Sequence, residues 1–272
     1  DSVDHAQLSC EILFGEEAAK QAFAAYTEHY NSSDPKIKLK IDHTYRVAGL
    51  CDRIGRSVGL SGEELDLAWM CGLLHDIGRF EQIRRYHTFS DADSVDHAQL
   101  SCEILFGEEG RIRSFLSENR WDRLLQTAVQ WHSAYRIPEG LDEKTQMYCN
   151  LLRDADKIDI LRVNLDTPME EIYNVTTEEL RTSEVTSEVM QAFDGHHAIL
   201  RSLKKTAVDH AVGHISLVYE LVYPESRAIV KEQGYLDRMM DFPTDNPETK
   251  KQFVHIREEM NRFLEQDENF QA

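Results

Sequence analysis

The sequence predicts an all-α protein, on three observations. Apolar residues recur three and four apart through most of the chain, which is the period of an amphipathic helix. The alternation of apolar and polar residues that marks a strand never runs beyond a few residues. A length of 272 residues with 41% apolar content is enough to bury one substantial core.

In chain order, EEAAKQAFAAYTEHY reads as a first helix that stops in the polar run 31–35. KIKLKIDHTYRVAGLCDRIGRSVG follows, with Ile41, Val47, Leu50, Cys51 and Ile54 on one face and Gly59 as its stop. Ser61 and Glu64 have capping-box spacing at the start of SGEELDLAWMCGLLHDIG. Residues 79–93, RFEQIRRYHTFSDAD, are polar, lack helical periodicity and read as a loop. Helical patterns resume around His97 and His132, and a longer one covers 142–165. Beyond Pro168 come short helical patterns joined by Thr- and Ser-rich turns, placed to cap a site. TAVDHAVGHISLVYELVY is a strongly apolar helix, and NPETKKQFVHIREEMNRFLEQ a final amphipathic one with a face suited to another subunit. The expected organisation is one all-α domain over 18–272, with a core of about 36–166 and a C-terminal helical extension over 167–272.

Residues 1–17 repeat residues 93–109 without a substitution. Natural repeats diverge, so the copy reads as an artefact or a very recent duplication. Only His97 of the second copy, not His5 of the first, lies in order with the other ligand candidates.

A net charge of −19 argues against a nucleic-acid polymer or an anionic membrane as partner. It is compatible with a small phosphorylated substrate held by a few local cations. The five cysteines show no CxxC spacing and read as small core residues in a reducing compartment. With no apolar run of about 18 residues, the expectation is a soluble, cytoplasmic protein.

The chemistry centres on LLHDIGRF. An apolar run ends in His75 and Asp76, and a buried carboxylate needs a cationic partner. His43, His97, His132 and Asp154 also lie on or beside helical patterns whose apolar neighbours face the interior. Four imidazoles and two carboxylates suffice for two metal ions with open positions left for substrate. Between Asp154 and Asp156, the apolar face made by Leu151, Leu152, Ala155, Ile158 and Leu161 lies nearer Asp154. His210 and His214, at i and i+4, have no third ligand near them and read as hydrogen-bonded core histidines. His196 and His197 read as turn residues.

The order His, His-Asp, His, His, Asp over residues 41–162 resembles the HD-domain superfamily of metal-dependent phosphohydrolases. HAQLSCEIL and LLRDADKIDIL are similar to helices of its six-ligand HD-GYP branch, although HSAYRIPEG replaces the second histidine and Gly-Tyr-Pro turn of that branch. The resemblance implies phosphate-ester hydrolysis by metal-activated hydroxide, with His43, His75, Asp76, His97, His132 and Asp154 as ligands and Asp76 as the bridge. Arg79 and Lys157 are then the first candidates to contact phosphoryl oxygens. The expected cofactor is two divalent transition-metal ions, Mn or Fe ahead of Zn, Ni or Co, since four imidazoles disfavour Mg²⁺. The same ligand order also occurs in HD-type di-iron oxygenases, and a non-catalytic ligand-binding HD domain is a third reading.

Overall fold

The computed structural model describes residues 16–108, 110–173 and 175–268, and every regular element among them is helical. The repeated N-terminal segment lies almost wholly outside the described residues. Two compact units divide within one long helix, between Asp156 and Lys157.

The first unit comprises α1 (16–27), α2 (Pro35–Ser57), α3 (Glu63–Leu74), α4 (Ile77–Tyr86), α5 (His97–Phe106), α6 (Asp122–Trp131) and α7 (Glu143–Asp166) as far as Asp156. Asp34 starts α2 by accepting from the Lys36 amide, with Pro35 preset for the first helical position. α2 packs on α3 at Gly72, where a Cβ would stand 2.5 Å from the Ala48 Cα. α4 packs on α5 at Gly78, where a Cβ would stand 2.6 Å from the Ser101 nitrogen and 2.7 Å from the His97 carbonyl. Only glycine permits either approach, and the two approaches bring the helices carrying His43 and His97 against the junction that carries His75 and Asp76. Across this core, Phe23 of α1 meets Tyr45 and Phe80 edge-on, and Tyr26 donates to the Ile77 carbonyl at 3.0 Å. The N-terminal half of α7 is tied in by Tyr148, which donates to the Glu64 carbonyl at 2.7 Å.

Two sequence expectations are corrected in this unit. Residues 79–86 are not loop but most of α4. Its apolar signal is only Ile77, Phe80 and Ile83, while the polar residues between them are buried too: Gln82 is held by Asp91, Ser94 and Val95, and Glu81 by Arg84 and Arg85. The turn begins at His87, in a left-handed conformation. The Ser61–Glu64 capping box does not form. Gly62 is the N-cap, and Glu64 takes an ion pair from Lys144 at 2.8 Å instead.

The second unit contains the remainder of α7, α8 (Met169–Tyr173), α9 (Thr177–Thr182), α10 (Ser187–Asp194), α11 (Ala207–Ile215), α12 (Pro224–Gln233), α13 (Tyr235–Met240) and α14 (Pro247–Glu268). α11 is its hub, packed on α9, α10 and α13. The apolar stretch 206–223 is not one helix. α11 gives way to a 3₁₀ turn, Ser216–Glu220, where the Ser216 hydroxyl donates back to the Gly213 carbonyl. α14 is amphipathic as expected, burying Phe253, Ile256, Met260 and Leu264.

Cys51, Cys71, Cys102 and Cys149 are free, buried thiols, and burial pushes the pKa of each upward. Among the described residues no helix is long and apolar enough to cross a membrane.

Candidate metal centre

Helix ends supply most of the site. His75 closes α3 and Asp76 opens α4, so the His-Asp dipeptide sits at the corner between two helices. His97 is the first residue of α5, where the Asp96 carboxylate accepts the Ala98 and Gln99 amides, and His132 closes α6. His43 projects from the middle of α2 and Asp156 from the middle of α7. All six are buried, with Asp156 the most accessible at 9%.

Asp76 divides the cluster in two. Its Oδ2 lies 3.6 Å from His43 Nε2 and 3.4 Å from His75 Nε2, and those two nitrogens are 3.3 Å apart. Asp156 Oδ1 completes this half, 3.2 Å from His43 Nε2 and 3.8 Å from His75 Nε2. The other oxygen, Oδ1, lies 3.6 Å from His97 Nε2 and 3.7 Å from His132 Nε2, which are 3.1 Å apart. One carboxylate therefore serves two imidazole pairs, and each triad can hold a metal ion.

The outer contacts settle which way the rings face. His75 Nδ1 donates to the Gly72 carbonyl, His132 Nδ1 to the Val129 carbonyl and His97 Nδ1 to Asp91 Oδ2, each at 2.7 Å. With Nδ1 protonated, a neutral ring presents a lone pair at Nε2. In the second half, two such lone pairs converge with Asp76 Oδ1, a buried oxygen that accepts no hydrogen bond. Three acceptors this close repel one another unless a cation lies among them, so the residues present fit a metal ion.

Protonation agrees with that fit. Burial alone would raise the Asp76 pKa, but Lys40 and the surrounding imidazoles outweigh it and hold the carboxyl well below its usual range. Asp156 is buried as well, and its contacts with His43 and His75 likewise hold its pKa low. Burial, reinforced by Arg79, pushes the His97 pKa down to about 4. Ionised carboxylates and a neutral imidazole are the forms a divalent cation binds.

Five of the six expected ligands are thus brought together: His43, His75, Asp76, His97 and His132. For the sixth, the structure sets Asp156 Oδ1 3.2 Å from His43 Nε2 and 3.8 Å from His75 Nε2, so Asp156, rather than the expected Asp154, is the carboxylate placed to complete this half. Asp154 is fully buried two residues earlier on α7, about 200° around the helix. The helical-face argument does not rank the two carboxylates, because residues 151–159 are all buried and no apolar face distinguishes them. Arg79 is near the site, with Nε 3.7 Å from Asp76 Oδ1. Its Nη1 is committed to Gln82, the Phe89 carbonyl and Asp91 at 2.7, 2.7 and 2.8 Å. Arg79 is therefore a scaffold for Asp91, and through it for His97. Lys157, the other expected cation, is buried on α7 in the second unit.

Three contributors escaped the sequence reading. Lys40 places its ammonium 2.6 Å from Asp76 Oδ2, and it lies on the same face of α2 as His43, three residues on. Arg153 Nη1 donates to the Trp131 and His132 carbonyls at 2.9 and 3.2 Å, satisfying the open end of α6. Asp91 orients His97, and its own pKa is held low against burial by His97 and Arg79. Asp91→Asn is expected to weaken metal affinity of the His97–His132 half by about 10- to 100-fold, the scale for outer-sphere partners. Competitive metal titration reads this directly, and the His43–His75 half should change little.

Residues 41–163, the stretch from two residues before His43 to seven beyond Asp156, match the HD domain family. The match supports placing this part of the chain in the HD superfamily. No curated protein and no solved structure matches the chain.

Proposed function

We propose, taking residues 41–163 as an HD domain, that the protein is a metal-dependent phosphohydrolase with a two-ion centre. The observation that carries this is the division of Asp76: Oδ2 faces one histidine pair and Oδ1 the other. Two divalent cations held there would supply Lewis acidity and an activated water at neutral pH. His43, His75 and Asp156 hold one side, and His97 and His132 the other, with Asp76 between them. Four imidazoles and two carboxylates suit Mn or Fe better than Mg²⁺.

The chain's own groups define the remaining work. Lys40 is paired with Asp76 Oδ2 and lies over the Phe89 ring at 5.5 Å, so its ammonium stands beside the centre on a flexible four-carbon stem that can turn it toward a phosphoryl oxygen. Arg79 is already committed to Asp91 and Gln82, and its part is to keep the His97 ring aimed. Lys157 is kept as the second candidate to contact phosphate. The substrate is a small phosphate ester rather than a nucleic-acid polymer, in keeping with the net charge of −19.

The test is metal analysis of anaerobically purified protein, followed by phosphate release from phosphomonoesters, nucleotides and cyclic dinucleotides. Two ions per chain with phosphate release is the expected result. A mixed-valent di-iron signal without phosphate release would replace hydrolysis with oxygenase chemistry.

A further inference from the structure

We infer that Arg153 is a positioning residue for His132: it holds the last turn of α6 closed, and through that turn aims the His132 ring into the metal centre. The inference rests on the two-ion reading, because the task it assigns lies within that centre. α6 ends at His132, which keeps right-handed helical backbone at φ −61° and ψ −40°. The last carbonyls of a helix have no partner inside it, and a residue in the left-handed region just beyond commonly supplies one. Ser133 and Ala134 follow here, and neither takes that conformation. The Ala134 amide reaches only the Trp131 carbonyl, at 3.3 Å. A metal ligand therefore stands at a helix end that α6 does not close by itself.

Arg153 closes it from α7. Its Nη1 donates to the Trp131 carbonyl at 2.9 Å, to the His132 carbonyl at 3.2 Å and to the Ala134 carbonyl, while Nη2 donates to the Tyr135 carbonyl at 3.3 Å. One guanidinium thus spans four carbonyls, with its positive charge at the negative end of the helix dipole. The side chain belongs to a residue only 8% exposed, so water competes little for these bonds.

The aim of the ring depends on this turn. His132 Nδ1 donates at 2.7 Å to the Val129 carbonyl, three residues back in α6. With that bond made, Nε2 lies 3.1 Å from His97 Nε2 and 3.7 Å from Asp76 Oδ1. The Val129 carbonyl comes under the ring only while residues 129–132 stay helical. His75 makes the same bond to the Gly72 carbonyl, but α4 follows almost at once and holds that corner from its far side. His97 is held by Asp91, and His43 lies in the middle of α2. Of the four rings, His132 is the one whose helix runs out into a turn, and Arg153 is what holds the turn. Arg153 also lies three residues before Asp156, about one turn away. α7 therefore carries a carboxylate for the His43–His75 half and the clamp for the His97–His132 half, and loss of the clamp should fall on the second half alone.

The experiment is calorimetric titration of the full chain, stripped of metal by chelation, with Mn²⁺ in two single-ion backgrounds. Asp156→Asn is expected to keep only the His97–His132 ion, and His97→Ala only the other. Adding Arg153→Met should weaken Mn²⁺ binding by about 10- to 100-fold in the first background, the scale for groups that support a ligand, and change it little in the second. Arg153→Lys should recover only part of the loss, since one ammonium cannot span four carbonyls as the planar fork does. A second readout needs no metal. In NMR of the stripped chain, the His132 Nδ1 proton, assigned by its loss in His132→Gln, should be protected from exchange in the parent and exposed to it in Arg153→Met. Parental affinity when Arg153→Met is added to Asp156→Asn overturns the proposal. So does an equal loss in both backgrounds, which is what general destabilisation would give. If Arg153→Met does not fold, Arg153→Lys carries the same comparison. A stripped parent that takes up no Mn²⁺ overturns the two-ion reading instead, and the ring proton then decides the part of Arg153: unchanged protection in the variant overturns it.

Discussion

Asp76→Ala is expected to empty both halves of the metal centre and, with them, to abolish turnover. Most single ligand replacements would disable one ion, because each histidine belongs to one pair. Asp76 belongs to both, through Oδ2 at 3.4 Å from His75 and Oδ1 at 3.6 Å from His97. Removing it also strips Lys40 of its carboxylate, leaving an ammonium beside His43 and His75 that opposes any cation. Metal content should fall from two ions per chain to near zero. Phosphate release should drop by about three orders of magnitude or more, at or beyond the scale on which loss of one preorganised electrostatic group acts. Asp76→Asn is the stricter form, since it keeps the volume and removes the charge. A readout independent of activity is metal-dependent thermal stabilisation. A site filled at 100 times its Kd stabilises the folded chain by about 2.7 kcal/mol, and this increment should be present in the parent and absent from both variants. Two retained ions and parental turnover in Asp76→Asn would remove the bridging role.

Much of the fold was legible because the helices announce themselves through period, caps and breakers. α2 begins at Pro35, one residue before the expected KIKLKIDHTYR pattern, and α7 falls within one residue of its expected bounds. α4 was illegible for a specific reason. Its buried Gln82 is satisfied by Asp91, Ser94 and Val95, nine to thirteen residues on, which no local window shows, whereas Glu81 finds Arg84 and Arg85 within one turn. The interruption after α11 was hidden by continuous hydrophobicity, which hides where a helix ends.

The ligands were legible for a different reason. Histidine beside apolar helix residues is uncommon enough to stand out, and four such signals, with Asp76 directly after the second, fell in order. Their supports were not. Lys40, Asp91 and Arg153 are ordinary charged residues in sequence, and each acquires its role only when α2, the turn before α5 and α7 meet the ligand cluster. The glycines follow the same rule. Gly72 and Gly78 resemble any helical glycine until the neighbouring backbones are seen within about 3 Å of where a Cβ would stand.

Asp156→Asn is expected to cost one ion of the two, and Asp154→Asn none. Both carboxylates lie on a helix turn buried on every side, so burial cannot rank them, and a variant of either disturbs the same packing. Direction separates them. Asp156 Oδ1 points at His43 Nε2 from 3.2 Å and sits 3.8 Å from His75 Nε2, completing the half that Asp76 Oδ2 closes from the other side. Two residues along α7 turn Asp154 about 200° away from that direction. Losing the Asp156 charge removes a direct ligand, so the affinity of this ion should fall by more than the about 10- to 100-fold cost of an outer-sphere partner. The ion held by His97 and His132 should remain, because its carboxylate comes from Asp76 Oδ1. Metal stoichiometry of the two variants therefore reads as one and two ions per chain, with turnover lost in the first and kept in the second. The reverse pattern would return the sixth ligand to Asp154.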